Sequence, residues 1–160
     1  MKKLLGSLLV TLLMVFAMSS NAYATVTESD AKYAQQAGKA TQDFSTAIGD
    51  WGNVYQVAPE KVNSADYKAW TKKALAADNA VKAALAKFSK IKVSAGYKKS
   101  DITLRKFIKA YNDAINQYAP AIKKNDKKLV RKANDALLAA TTLFTNWGND
   151  FARDSTALAK

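Results

Sequence analysis

The chain has 160 residues, with 25 Lys and Arg against 13 Asp and Glu, no histidine and no cysteine. Without Cys or His it has no disulfides, no thiol chemistry, no Cys or His ligand for a transition metal or haem and no imidazole for acid–base work. A formal charge of +12 draws it toward anionic surfaces and polymers and says nothing about its fold.

The first element in chain order reads as a secretory signal. Lys2 and Lys3 precede an apolar run from Leu4 to Met18, and Ala22-Tyr23-Ala24 supplies small residues at a cleavage site. The run is 15 residues, short of the roughly 18 or more that a membrane-spanning helix needs. Residues 1–24 are therefore expected to be a cleaved signal peptide, with the mature protein starting at Thr25 and residing outside the cytoplasm, periplasmic or secreted. Loss of Lys2 and Lys3 leaves 23 cations against 13 acids, a net +10. Residues 25–160 have the length of one domain, enough to bury a core without covalent staples.

Beyond the signal, apolar residues recur at spacings of three and four, the helical rhythm. The first stripe runs Tyr33, Ala37, Ala40, Phe44, Ala47, Trp51, Val54, and the second runs from Tyr67 and Trp70 through Val81 to Phe88 and Ile91. The third joins Leu104, Ile108, Tyr111, Ile115, Tyr118 and Ile122; the fourth joins Val130, Ala133, Leu137, Ala140, Phe144, Trp147 and Phe151. Pro59 stops the first helix, and Asn63 or Ser64 caps a second that starts near Ala65. Val93 to Lys99 is the longest loop, with Ser100 or Asp101 capping the third helix. Pro120 should bend or loosen that helix's last turn. At the Asn125-Asp126 junction, Asn suits a left-handed helix end and Asp caps the fourth helix. The tail after Arg153 is weakly periodic and is expected to fray. Short connections make neighbours antiparallel, so the expected fold is all-α: an up-down-up-down four-helix bundle with helices of about 25 residues, roughly 40 Å each.

Two segments are alike, Asp50-Trp51-Gly52-Asn53 and Asn146-Trp147-Gly148-Asn149. Both tryptophans lie on apolar stripes, which favours core layers over an aromatic platform for a ligand. The only glutamates beyond the signal, Glu28 and Glu60, sit near helix starts, where they complement the dipole. Asp43 and Asp50 share a helix face and read as solvated groups, not a catalytic pair. No phosphate loop, nucleophile elbow or metal-loop spacing occurs. The expectation is a non-enzymatic protein without cofactor or metal.

The cations are uneven. From Lys82 to Lys109 the only acid is Asp101, and this stretch contains Lys98, Lys99, Arg105, Lys106 and Lys109. A second group, Lys123, Lys124, Lys127, Lys128, Arg131 and Lys132, surrounds the third junction with only Asp126 among it. Solvated helices usually set Glu four residues from Lys, and that balance is missing here. Lysine, a point charge, suits loose contact with a polymer or membrane better than bidentate phosphate recognition. Export separates the chain from the genome and no reader motif is present, which argues against nucleic acid. The leading expectation is an exported binding protein whose lysine-rich ends meet an anionic envelope partner: a polymer, a lipid surface or an acidic protein. The alternative is an envelope chaperone or inhibitor that binds another protein through apolar or aromatic surface, with Tyr97 as the clearest loop aromatic.

Overall fold

The computed structural model describes residues 26–61, 64–124 and 126–160. They form four α-helices: α1 (Glu28–Gln56), α2 (Ala65–Ser89), α3 (Lys98–Lys123) and α4 (Lys127–Leu158), with a 3-10 turn at Ala95–Tyr97 before α3. No strand occurs among the described residues. The signal-peptide expectation for residues 1–24, and the roles given to Asn63 and Asn125, lie outside the described residues.

Three helix starts follow from local chemistry. Thr27 and Asp30 form a reciprocal capping box on α1: Thr27 Oγ1 accepts from Asp30 N at 3.2 Å, and Asp30 Oδ2 accepts from Thr27 N at 3.1 Å. Ser64 Oγ accepts from Tyr67 N at 3.0 Å to start α2, and Asp126 Oδ1 accepts from Lys128 N and Leu129 N to start α4. Each supplies a partner for helix-end N–H groups that have none within the helix.

The start of α3 departs from expectation. Neither Ser100 nor Asp101 caps it; helix begins at Lys98, and Tyr97 at the N-cap contributes no side-chain bond. The partners come from distant chain instead. Asp154 on α4 accepts from Ser100 N at 3.0 Å, and Asp30 on α1 accepts from Gly96 N at 3.1 Å. The segment read as a long loop is thus a turn leading straight into helix, held by carboxylates from both neighbouring helices. α3 also runs on through Pro120 to Lys123, and the Pro120 carbonyl accepts from Lys124 N at 3.1 Å.

The same end of the molecule fixes the tail that was expected to fray. Tyr97 stacks on both Tyr33 and Phe151, with each ring centroid 4.8 Å away, and those two rings lie 6.3 Å from each other. Its hydroxyl and that of Ser155 are 2.9 Å apart, and Leu158 packs on the core. α4 therefore continues to Leu158, because its last turns cover the 95–97 turn. Gly96 lies in a tight place: a Cβ there would stand 2.7 Å from Leu158 Cδ1 and 2.8 Å from Asp30 Oδ1. Leu158 can yield, but Asp30 cannot move without stretching its bond to Gly96 N. We expect Gly96→Ala to lower the unfolding free energy by about 1 kcal/mol, measurable as a lower urea midpoint at unchanged slope.

The predicted stripes form the core. Tyr33, Phe44, Trp51, Trp70, Val81, Phe88, Leu104, Tyr111, Ile115, Phe144, Trp147 and Phe151 are buried. Contacts between α1 and α2 pair Asp43 with Lys87, Trp51 with Asp78 and Val54 with Trp70, so numbers rise along one helix as they fall along the other. α3 and α4 make the most extensive backbone approach. Their buried faces include Ala114, Ala121, Ala133 and Ala140, and small side chains let helix axes come close. Aromatic rings fill the space between the helix pairs. The Phe44 ring lies 5.3 Å from Phe107, 5.0 Å from Tyr111 and 5.5 Å from Phe144, and Phe88 lies 5.5 Å from Trp147. Each buried ring contributes about 1.5–3 kcal/mol by removal from water, with a further gain from edge-to-face geometry.

Candidate functional site

The surface charge is decided by where the acids go. Asp30, Asp78 and Asp154 are buried, so three of the thirteen acids are turned away from solvent. Asp30 and Asp154 hold the start of α3. The third, Asp78, lies on the buried face of α2 with aromatic side chains around its carboxylate. It accepts from Trp51 Nε1 at 2.8 Å and from the Tyr55 hydroxyl at 3.0 Å, and is only 4% exposed. Tyr55 in turn lies against Trp70 and Tyr118, with ring centroids 5.4 and 5.0 Å away.

Burial raises the Asp78 carboxyl above the ordinary Asp range, opposed by the Trp51 and Tyr55 bonds and by the nearby Lys82 charge. Burial, then the neighbouring Asp78 charge, raises the Tyr55 hydroxyl as well. Asp30 moves the other way: the Thr27 hydroxyl bond holds its carboxyl below the usual value, with burial opposing. The Asp78 cluster bonds to itself, and its described contacts leave little room for a substrate. Its arrangement is that of a polar core layer.

Other acids are tied on the surface. Asp43 pairs with Lys87 at 2.8 Å, Asp113 with Lys109 at 2.6 Å and Asp150 with Arg153 at 2.8 Å. Asp43, read as a solvated group, is lowered chiefly by the Lys87 bond, and Asp50 is exposed.

Among the cations the sequence singles out, Arg105 stands apart. Its guanidinium donates to Asp101 through Nε at 3.1 Å and Nη2 at 2.8 Å. It also donates to the carbonyls of Phe88 and Ser89, both at 3.2 Å, and of Ile91 at 3.1 Å. Arg105 thus closes the C-terminal end of α2 and has few donors left for an outside anion. Asp101 also accepts from the Tyr33 hydroxyl at 3.3 Å.

Lys98, Lys99 and Lys106 are exposed on α3, and Lys109 beyond them pairs with Asp113. Lys123, Lys124, Lys127, Lys128 and Arg131 are exposed at the α3–α4 junction. Apart from Lys109, none of these exposed cations makes an ion pair among the described residues. Lys127 and Lys128 lie in the first turn of α4, which contains no acid, so the positive end of the helix dipole adds to their field. Asp126 directs one oxygen to two backbone N–H groups there.

Both repeated tryptophans are core residues, with different surroundings. Trp51 is bonded to Asp78, whereas Trp147 is fully buried among Phe88, Phe144 and Phe151 and its indole N–H has no partner among the described residues. Tyr97 is no loop aromatic open to a partner: it is 4% exposed within its stack. A shallow groove of about 210 Å³ between α1 and the end of α2 is lined by Lys39, Asp43, Lys87 and Lys90 over Ala40 and Ile91. That is smaller than the roughly 300–1,000 Å³ typical of small-molecule clefts. Among the described residues no three acids converge as a metal site, and no helix is long and apolar enough to cross a membrane.

Comparison with protein-family models, with curated proteins and with solved structures finds no match.

Proposed function

We propose that this is an exported, non-enzymatic binding protein: an up-down-up-down four-helix bundle, freed of residues 1–24, that meets an anionic partner of the cell envelope through two lysine-rich surfaces. The observation that carries the reading is the segregation of charge. Several acids are buried or paired, while the lysines of α3's outer face and of the α3–α4 junction stand exposed with few acids near them. An electrostatic field of one sign over such a surface raises the local concentration of anions and falls off with salt. The opposed numbering of the α1–α2 contacts supports the up-down order.

Retention on isolated envelope material tests the reading. Binding should be strong at low salt, weak at high salt, and reduced more than tenfold when Lys98, Lys99 and Lys106 are reversed to Glu, at about 1 kcal/mol for each charge near an anionic surface. Arg105 is left in place because it holds α2. Retention unmoved by salt and by the reversals would remove this reading in favour of apolar capture of a protein, as by a chaperone or inhibitor.

A further inference from the structure

Ile102 stands 58% exposed near the start of α3, with Lys98 four residues before it and Lys106 four after. At helical spacing the three share one face, and Lys99 borders it. A lone exposed isoleucine needs no explanation, but a second apolar residue, Val93, is 39% exposed beside Lys92 in the connection leading to the same helix. The two segments are tied together: Arg105, one turn along α3 from Asp101, donates to the Ile91 carbonyl at 3.1 Å. The nearby acid, Asp101, spends its oxygens on Arg105 and Tyr33. The α3 face is therefore cationic with Ile102 at its centre, and Val93 lies in the connection that Arg105 ties to the same helix.

We infer that this face docks on an anionic lipid bilayer. Lys98, Lys99 and Lys106 meet headgroup phosphates, and Ile102 with Val93 enters the boundary between headgroups and acyl chains. The inference rests on the anionic-partner reading above and narrows the partner to a lipid surface. A hydrated polyanion would reward the lysines alone. A bilayer rewards both groups, because long lysine stems reach outward to phosphate while the methyl groups between them leave water. With no described helix fit to span the membrane, the contact is peripheral.

The chain has no cysteine, so a single introduced one can carry an environment-sensitive fluorophore. Ile102→Cys labels the face; Leu138→Cys, 57% exposed on α4 and without lysine one turn to either side, is the control. On phosphatidylglycerol-containing vesicles the label at 102 should brighten and shift to the blue, and the label at 138 should not. Neither should respond to phosphatidylcholine vesicles or to polyphosphate. Ile102→Ser should weaken binding to the anionic vesicles about tenfold and leave binding to polyphosphate unchanged. Vesicle binding with an unshifted label at 102, or undiminished by Ile102→Ser, overturns the docking face. Binding to polyphosphate but not to vesicles overturns the lipid assignment while the broader anionic reading survives; binding to neither removes both.

Discussion

Asp78→Ala is expected to lower the unfolding free energy by about 3 kcal/mol, whereas Asp78→Asn should leave it within about 1 kcal/mol at neutral pH. The alanine variant leaves Trp51 Nε1 and the Tyr55 hydroxyl buried without their acceptor and opens a small cavity beside Tyr55. Asparagine keeps an acceptor oxygen and loses the charge. Because burial raises the native Asp78 carboxyl, its proton is held more tightly folded than unfolded. Its favourable contribution is complete below the unfolded Asp value, about 3.9, and is lost as pH rises through the higher native value. The advantage of Asp78→Asn over the wild type should therefore be largest at neutral pH and shrink as the solution is acidified. Asp30, lowered by its Thr27 bond, contributes in the opposite sense: its stabilisation is present above the unfolded Asp value and fades as pH falls below it. Asp30 is common to both proteins, so it cancels in the comparison. Urea unfolding of the wild type and the two variants across acid and neutral pH checks the sign; an asparagine advantage that grows with acid would contradict the raised carboxyl.

Arg105→Leu should cost about 2–3 kcal/mol, with Arg105→Lys recovering only part of it. The guanidinium satisfies carbonyls of Phe88, Ser89 and Ile91 at once while gripping Asp101 through two nitrogens. A single ammonium lacks that fork. Its side chain is 38% exposed, so water can replace part of what is lost, which keeps the expected cost below that of a fully buried ion pair. Binding should respond differently from stability. Since the Arg105 donors are taken by Asp101 and the α2 carbonyls, Arg105→Lys is expected to change polyphosphate binding less than twofold, whereas the Lys98, Lys99 and Lys106 reversals change binding and barely move the urea midpoint. Equal unfolding midpoints for Arg105→Leu and wild type would show that the network contributes nothing; a large binding loss in Arg105→Lys would make it a contact residue after all.

The helices were legible because the information is local and periodic. The stripes from Tyr33 to Trp51 and from Leu104 to Tyr118 are buried as read except at Ala47, which is partly buried, and Ser64 and Asp126 cap as expected from their place before a helical run. What was not legible depends on parts of the chain far apart. Asp154 supplies the bond that Ser100 was expected to supply to its own helix, and Asp30, besides capping α1, reaches Gly96. Tyr97 looked exposed because its segment carries Gly and Lys, yet two rings from α1 and α4 enclose it. Asp78 did leave a signal: it comes four residues after Ala74, three before Val81 and seven before Leu85, so it is an acid on an apolar stripe. The lysine groups were visible as composition, but which cations are taken inside is a tertiary fact, and Arg105 is the case in point.

Exposed lysines are proposed to hold an anionic envelope surface. The most direct measurement is the slope of the logarithm of binding to envelope-derived anionic material against the logarithm of salt concentration, for wild type and for a Lys98, Lys99, Lys106→Gln variant. A steep negative slope that becomes shallower by about one for each contacting lysine removed is the expected result. A flat wild-type slope, or one the replacements leave unchanged, would contradict it.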